Sequence, residues 1–342
     1  MTVLVFSPNW LGDAVLALPA VADIRRGQAA GRLVVAARPS VAGLWKMAAG
    51  VDEVVVIPRA RGVARWRTLA ENAKVLRQAG ADAAVLLPNS LQTAVMAWRA
   101  GIPERLGYRR GVRGWLLTRA VPRPRGLVHQ ADYYRRLVAA LGFRNGARVP
   151  VLDVPAAAVE GAREILKDAG WTPGERLLGI APGAAYGGAK RWPPERFAGV
   201  AVRLRDAHGL VPVLVGSDGD RAAACAIEAE LGNMQDSGAR RRTINLAGRT
   251  DLPLLGGVLA LCAAFVSNDS GAMHLAAAVG TSVVALFGPT DERATAPLAS
   301  RARVLTAAAW CRPCLLRECP LDHRCMIRID ADAVARAVED LL

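Results

Sequence analysis

Short apolar runs alternate with longer amphipathic stretches along most of the chain. Val3-Leu4-Val5-Phe6, Leu33–Ala36, Val54–Ile57 and Ala84–Leu87 read as strands that are apolar on both faces. Helical patterns fall between and after them: one runs from the loop Ser7–Asp13 to Arg26, and others cover 40–49, 65–79 and 90–100. Pro19 inside the first helix predicts a kink. The same alternation returns later, with strands at Leu177–Ala181, Val211–Val215, Thr243–Leu246, Ala264–Ser267, Val283–Phe287 and Ala302–Leu305. Helices at 194–208, 219–231 and 252–263 fill the gaps, and Ala331–Leu342 closes the chain with Val334, Val338 and Leu341 on one side. Repeated β–α units predict an α/β fold with parallel, doubly wound sheets.

At 342 residues the chain is long for one core, so two α/β domains are expected. Pro150 and Pro155 mark the link, which sets the domains at 1–160 and 161–342. The final helix has the option of packing on either domain. The longest apolar stretch, Leu252–Val266, is broken by Pro253, Gly256 and Gly257, so no spanning helix is expected. No basic region precedes the first apolar run, which predicts a cytoplasmic protein, soluble or peripheral on a membrane.

Charge narrows the partners. The net charge is +14, and only four of the 44 basic residues are lysine. Arginine suits bidentate contacts to phosphate and carboxylate. The low aromatic content of 5% and the lack of a recognisable nucleic-acid motif argue against nucleic acid. Between Arg105 and Arg125 lie Arg109, Arg110, Arg113, Arg119 and Arg123, interrupted by Trp115-Leu116-Leu117. This run reads either as a solvated loop or as a surface for an anionic acceptor or anionic lipid headgroups.

Three turns carry candidate chemistry. The loop before the first helix has one glycine, Gly12, and lacks a dinucleotide fingerprint; Asp13 at the helix start is either a cap or a general base. Pro182–Pro193 is small-residue rich and ends in Lys190-Arg191-Trp192, a set able to meet a diphosphate with a point charge and a planar fork. Ser267–His274 reads as strand, turn and helix start, which suits phosphate; Asp269 or Ser270 serves equally well as a simple cap. Cys225 and Cys262 fall in helical patterns and are expected to be buried. Cys311, Cys314, Cys319 and Cys325 cluster near His323, a density that suggests a structural zinc or iron–sulfur site, with reduced thiols or a disulfide as alternatives.

Taken together, Asn9-Trp10-Leu11-Gly12-Asp13 with Leu18-Pro19-Ala20-Val21, Pro182-Gly183-Ala184 through Trp192-Pro193, Asn245-Leu246-Ala247-Gly248, and Asn268-Asp269-Ser270-Gly271 through Phe287-Gly288-Pro289 resemble bacterial glycosyltransferase family 9 over nearly the full length. Lys190-Arg191-Trp192 and Asn268–Gly271 point to its heptosyltransferase II branch. The resemblance implies a GT-B fold, with two Rossmann-like domains facing across a cleft, and inverting transfer without a required cofactor. Its implied donor is ADP-L-glycero-β-D-manno-heptose, bound by the C-terminal domain. Its implied acceptor is the first heptose of Kdo-lipid A, bound by the N-terminal domain at the inner membrane's cytoplasmic face. Asp13 would then be the base. Tyr186, Lys190, Arg191, Asp220, Asp269, Ser270, Gly271 and His274 would serve the donor, and Asn9, Trp10, Arg109 and Arg113 the acceptor. Heptosyltransferases acting on another acceptor heptose, or using another nucleotide sugar, fit the same motifs. A non-catalytic basic protein binding nucleic acid or lipid, and a nicotinamide enzyme, are more distant alternatives.

Overall fold

The computed structural model describes residues 1–59, 65–234 and 242–342. The chain divides into two compact units, Met1–Asp153 and Val154–Leu342. The first runs β1 (Thr2–Phe6), α1 (Leu11–Gly27), β2 (Arg32–Ala37), α2 (Pro39–Trp45), β3 (Glu53–Val56), α3 (Arg65–Gln78), β4 (Ala83–Leu86), α4 (Leu91–Arg99) and β5 (Glu104–Tyr108). A 3₁₀ helix (Gly111–Leu116), β6 (Arg119–Val121) and α5 (Gln130–Ala140) complete it. The six strands form one parallel sheet in the order β3-β2-β1-β4-β5-β6.

Leu4, Phe6, Val34, Ala36, Ala84 and Leu86 enter a core shared with Leu69 and Leu76 of α3 and Ala94, Met96 and Ala97 of α4. The alternate residues Val3, Val5, Val35 and Val85 are buried as well. Because side chains alternate between faces along a strand, helices must cover the sheet on both sides. That double coverage is why these strands read as continuous apolar runs.

The second unit begins with α6 (Ala156–Asp168), β7 (Leu177–Ala181), α7 (Pro194–His208), β8 (Val211–Leu214), α8 (Arg221–Asn233), β9 (Ile244–Asn245) and α9 (Leu252–Leu261). It continues through β10 (Cys262–Asn268), α10 (Gly271–Ala278), β11 (Ser282–Phe287), α11 (Glu292–Thr295), β12 (Ala302–Thr306), α12 (Arg324–Ile327) and α13 (Ala331–Glu339). Its parallel sheet has the order β12-β11-β10-β7-β8-β9. Each unit therefore repeats the Rossmann order, with its switch point between the first and fourth strands of the unit: β1 and β4 in one, β7 and β10 in the other.

Several expectations need correction. The division falls between Asp153 and Val154, short of 160, because α6 packs against α9 of the second unit. The last helix, α13, packs on α7 and β11, so it too belongs to the second unit. The arginine-rich stretch contains two strands, β5 and β6: Leu106 and Tyr108 are buried, Arg105 donates to the carbonyls of Ile102 and Leu116, and Arg119 to those of Ala140 and Leu141. Those guanidinium groups hide a strand pattern within an apparent charge run. Cys225 is exposed rather than buried, and Cys262 opens β10 rather than ending a helix.

Candidate active site

In open α/β sheets ligands bind beyond the carboxyl ends of the strands, at the switch point. In the second unit that position is occupied by the loops after β7 and β10. Asn268, the last residue of β10, joins them: its Nδ2 donates to the Pro182 carbonyl at 2.7 Å, and its Oδ1 accepts from the Trp192 amide at 3.1 Å. Trp192 is buried edge-on against Phe197, with ring centroids 4.9 Å apart. The strand end thus fixes both limbs of the Pro182–Trp192 loop.

Lys190 is held inside this frame. It is 8% exposed and donates to Asp269 Oδ2 at 2.5 Å. Thr290, from the turn after β11, donates to the same oxygen at 2.5 Å. The Tyr186 ring lies 4.6 Å from Lys190 Nζ, and the tyrosine hydroxyl donates to the Leu315 carbonyl. Asp269, expected as a cap or as a donor-site residue, is a buried carboxylate that pairs with Lys190. Ser270 is the N-cap residue of α10 but makes no side-chain capping bond. The first-turn amides of α10 therefore have no side-chain cap, and they carry the positive end of the helix dipole. His274 is buried one turn further in. Arg191, next to the buried lysine, is exposed.

Glycines admit the neighbouring groups. Gly187 has φ +157°, and a Cβ there would lie 2.2 Å from the Arg317 carbonyl oxygen, which accepts from the Ala189 amide. A Cβ on Gly183 would lie 2.1 Å from Asp220 Oδ1. Asp220 itself accepts from the amide and hydroxyl of Ser217 at 2.9 and 2.7 Å, closing a capping box before α8. It reaches the edge of the loop while serving as a structural cap.

In the first unit Asp13 lies in the first turn of α1, half-buried, and the N-cap position belongs to Trp10. Asp13 is thus three positions inside the helix rather than at its N-cap. Its negative charge, after the larger effect of burial, holds the Tyr134 phenol well above the usual tyrosine range. Asn9 and Trp10 are exposed beside it, and Asn9 Oδ1 accepts from Arg38 Nε at 3.2 Å.

Arg109 is exposed, but Arg113 is not. At 1% exposure, Arg113 donates to the Pro88 carbonyl at 3.0 Å and to Asn89 Oδ1 at 3.2 Å. Burial lowers its pKa to about 10. Arg113 is thus a strut tying the 3₁₀ helix to the loop after β4, which corrects its expected place on an open acceptor surface. Sequence reading missed Asn89 and Tyr133 near this edge: Asn89 Nδ2 donates to the Tyr133 hydroxyl at 2.8 Å, and Arg123 reaches the same oxygen. Neither belongs to a recognisable motif.

A family model, Glycosyltransferase family 9 (heptosyltransferase), matches residues 69–324. The chain belongs to glycosyltransferase family 9. It is 32% identical to lipopolysaccharide heptosyltransferase 2 of Salmonella typhimurium, over 89% of this chain and 88% of that protein. The same figures hold for lipopolysaccharide heptosyltransferase 2 of Escherichia coli K12. The solved structure of E. coli ADP-heptose LPS heptosyltransferase II matches all of this chain and 98% of its own at 27% identity, with a TM-score of 0.83. The two Rossmann-like units are accordingly those of a GT-B family 9 glycosyltransferase.

The cysteine-rich segment buttresses the Lys190 loop of this family 9 enzyme. Glu318 accepts from the Gly188 amide, Arg312 donates to the Gly288 carbonyl, and the Leu315 amide donates to the Pro289 carbonyl. Cys311, Cys314, Cys319 and Cys325 line one cavity of about 10 Å³. Burial, and then the neighbouring thiols, push the Cys325 thiol up. Among the described residues, however, no three His, Cys, Asp or Glu side chains are placed to hold a metal ion. The four thiols, whose density suggests a zinc or iron–sulfur site, share this cavity as free cysteines. No helix among the described residues is long and apolar enough to cross a membrane.

Proposed function

We propose that this enzyme transfers L-glycero-D-manno-heptose from ADP-heptose to the first heptose of the Kdo-lipid A inner core, inverting the anomeric centre. The observation that carries this reading is the buried Lys190–Asp269 pair at the start of α10, on the switch point of the second unit. The sequence match to heptosyltransferases 2 supports the choice of sugar and acceptor.

In this reading the second unit binds the donor and the first unit the acceptor. Asp13 takes the proton from the attacking acceptor hydroxyl. The oxygen forms a bond to the anomeric carbon while the bond from that carbon to the β-phosphate oxygen breaks, and the electron pair leaves with ADP. Lys190 has three N–H groups, of which Asp269 takes one, so the fixed ammonium can also face the diphosphate. The amides of Ser270, Gly271 and Ala272 and the α10 dipole add fixed positive potential there. Arg191 reaches the phosphate from the solvent side, Tyr186 and Asp220 bound the nucleoside and His274 hydrogen-bonds donor phosphate or sugar. Asn9, Trp10 and Arg109 meet the acceptor. No step requires a metal or cofactor. Because lipid A anchors the acceptor, the enzyme works at the cytoplasmic face of the inner membrane as a peripheral protein.

The test is turnover of ADP-heptose with heptosyl-Kdo-lipid A, with the product read by mass. Asp13→Asn is expected to lower kcat by about 10²–10⁴-fold while leaving ADP affinity nearly unchanged. Near-normal turnover of that variant removes Asp13 as the base, and preference for a different nucleotide sugar removes the donor assignment.

A further inference from the structure

The first unit exposes several large apolar side chains on adjoining elements. α4 packs between α3 and the 3₁₀ helix, and together they cover one face of the sheet. Their inward residues form the core described above. Outward, α4 presents Leu91, Val95 and Trp98, spaced at i, i+4 and i+7 on one stripe. Trp66 of α3 is 64% exposed and Trp98 is 54% exposed. Val112 and Trp115 on the 3₁₀ helix are 68% and 92% exposed. The buried Arg113 anchors that short helix from below, so its exposed side chains are carried on a fixed support.

The charge around these residues is mainly positive, with Glu71 of α3 paired to Arg67. From Leu91 to Leu116 the chain holds five arginines and one acidic residue, Glu104. Arg105 and Arg113 are engaged with protein carbonyls, while Arg99, Arg109 and Arg110 are exposed. Arg99 lies over the Trp66 ring at 5.9 Å, placing a cation beside an exposed indole. Tryptophan has an apolar body with a polar N–H, and arginine pairs with phosphate, so both favour the boundary between lipid headgroups and hydrocarbon. A soluble protein partner would not require this excess of positive charge.

We infer that the α3–α4–3₁₀ face is the surface by which the enzyme docks on an anionic lipid bilayer, with Trp98 and Trp115 entering the headgroup region and Arg99 and Arg110 pairing with lipid phosphates. This rests on the proposed use of a lipid-anchored acceptor and adds the surface that reaches it.

Co-sedimentation of the full chain with phosphatidylcholine vesicles, with and without phosphatidylglycerol, tests the assignment. Wild type is expected to sediment with the anionic vesicles, with a blue shift in tryptophan emission that high salt reverses. Trp98→Ser/Trp115→Ser should weaken that partitioning by about tenfold or more. Arg99→Ser/Arg110→Ser should weaken it by about 30-fold, from roughly 1 kcal/mol per basic residue, and only on anionic vesicles. Both double variants should turn over detergent-dispersed acceptor like wild type. Wild type that ignores anionic vesicles, or variants that bind them as wild type does, overturns the docking surface. So does a wild-type dimer that the tryptophan variant abolishes, which would assign the face to a second copy of the chain. Failure of wild type to glycosylate dispersed acceptor would instead overturn the functional reading and leave vesicle binding standing.

Discussion

Asp269→Asn isolates the interaction around which the donor site is built. Asp269 and Lys190 are 6% and 8% exposed, and the carboxylate also accepts from Thr290. Asparagine keeps the shape and an oxygen for Thr290, but leaves the Lys190 ammonium buried without its counter-charge. Removing one partner of a buried pair costs about 3–5 kcal/mol, most of it from the charge left behind. In a unit of this size each kcal/mol lowers Tm by about 2–4 °C, so the variant should melt roughly 6–20 °C lower. Lys190→Met/Asp269→Leu removes both charges and should recover much of that loss, while still binding ADP poorly. Scanning calorimetry gives the stabilities and titration calorimetry the ADP affinities. If Asp269→Asn melts within about 1 °C of wild type and binds ADP equally well, Lys190 does not depend on Asp269 and the reasoning fails.

Other consequences are independent of that pair. Gly187→Ala should reduce ADP affinity by about tenfold or more, since a Cβ would lie 2.2 Å from the Arg317 carbonyl oxygen and force the Lys190 loop away from its support; unchanged affinity by titration calorimetry would refute it. Burial pushes the Cys262 thiol up to about 12, so alkylation at neutral pH, read by peptide mass, should label exposed Cys225 well before Cys262. Arg148 grips Asp132 with two hydrogen bonds and holds its carboxyl below the usual range. The stabilisation is therefore present above the unfolded carboxylate pKa and is lost as pH falls through the lower folded value. Arg148→Ala should move the acid-unfolding midpoint to higher pH, and an unmoved midpoint would show that the pair contributes nothing.

The sheets were legible because they are buried on both faces. Runs such as Val3–Phe6 and Val283–Phe287 admit few other readings, and the β–α alternation orders them in parallel. β5 and β6 were not legible, because they carry arginines whose partners are backbone carbonyls supplied by neighbouring turns and by the end of α5. The same blindness affected Arg113. A count of positive charges cannot distinguish a guanidinium facing water from one used as a buried strut. Arg109 and Arg113 are four positions apart, yet one is exposed and the other enclosed.

The donor site shows where motif reading stops. Lys190 and the Asn268–Gly271 turn were both visible, because each combines small or polar residues with a strand end. Their relation was not visible. Taken alone, an aspartate at a phosphate-binding turn should repel the ligand. Paired with a lysine 79 positions away, the same aspartate becomes the group that fixes a cation at that turn. The sign of its contribution reverses because Lys190 follows β7, Asp269 follows β10, and those strands are neighbours in the sheet. Strand order thus determines which loops exchange charge, and through them the electrostatic role of each residue at the switch point.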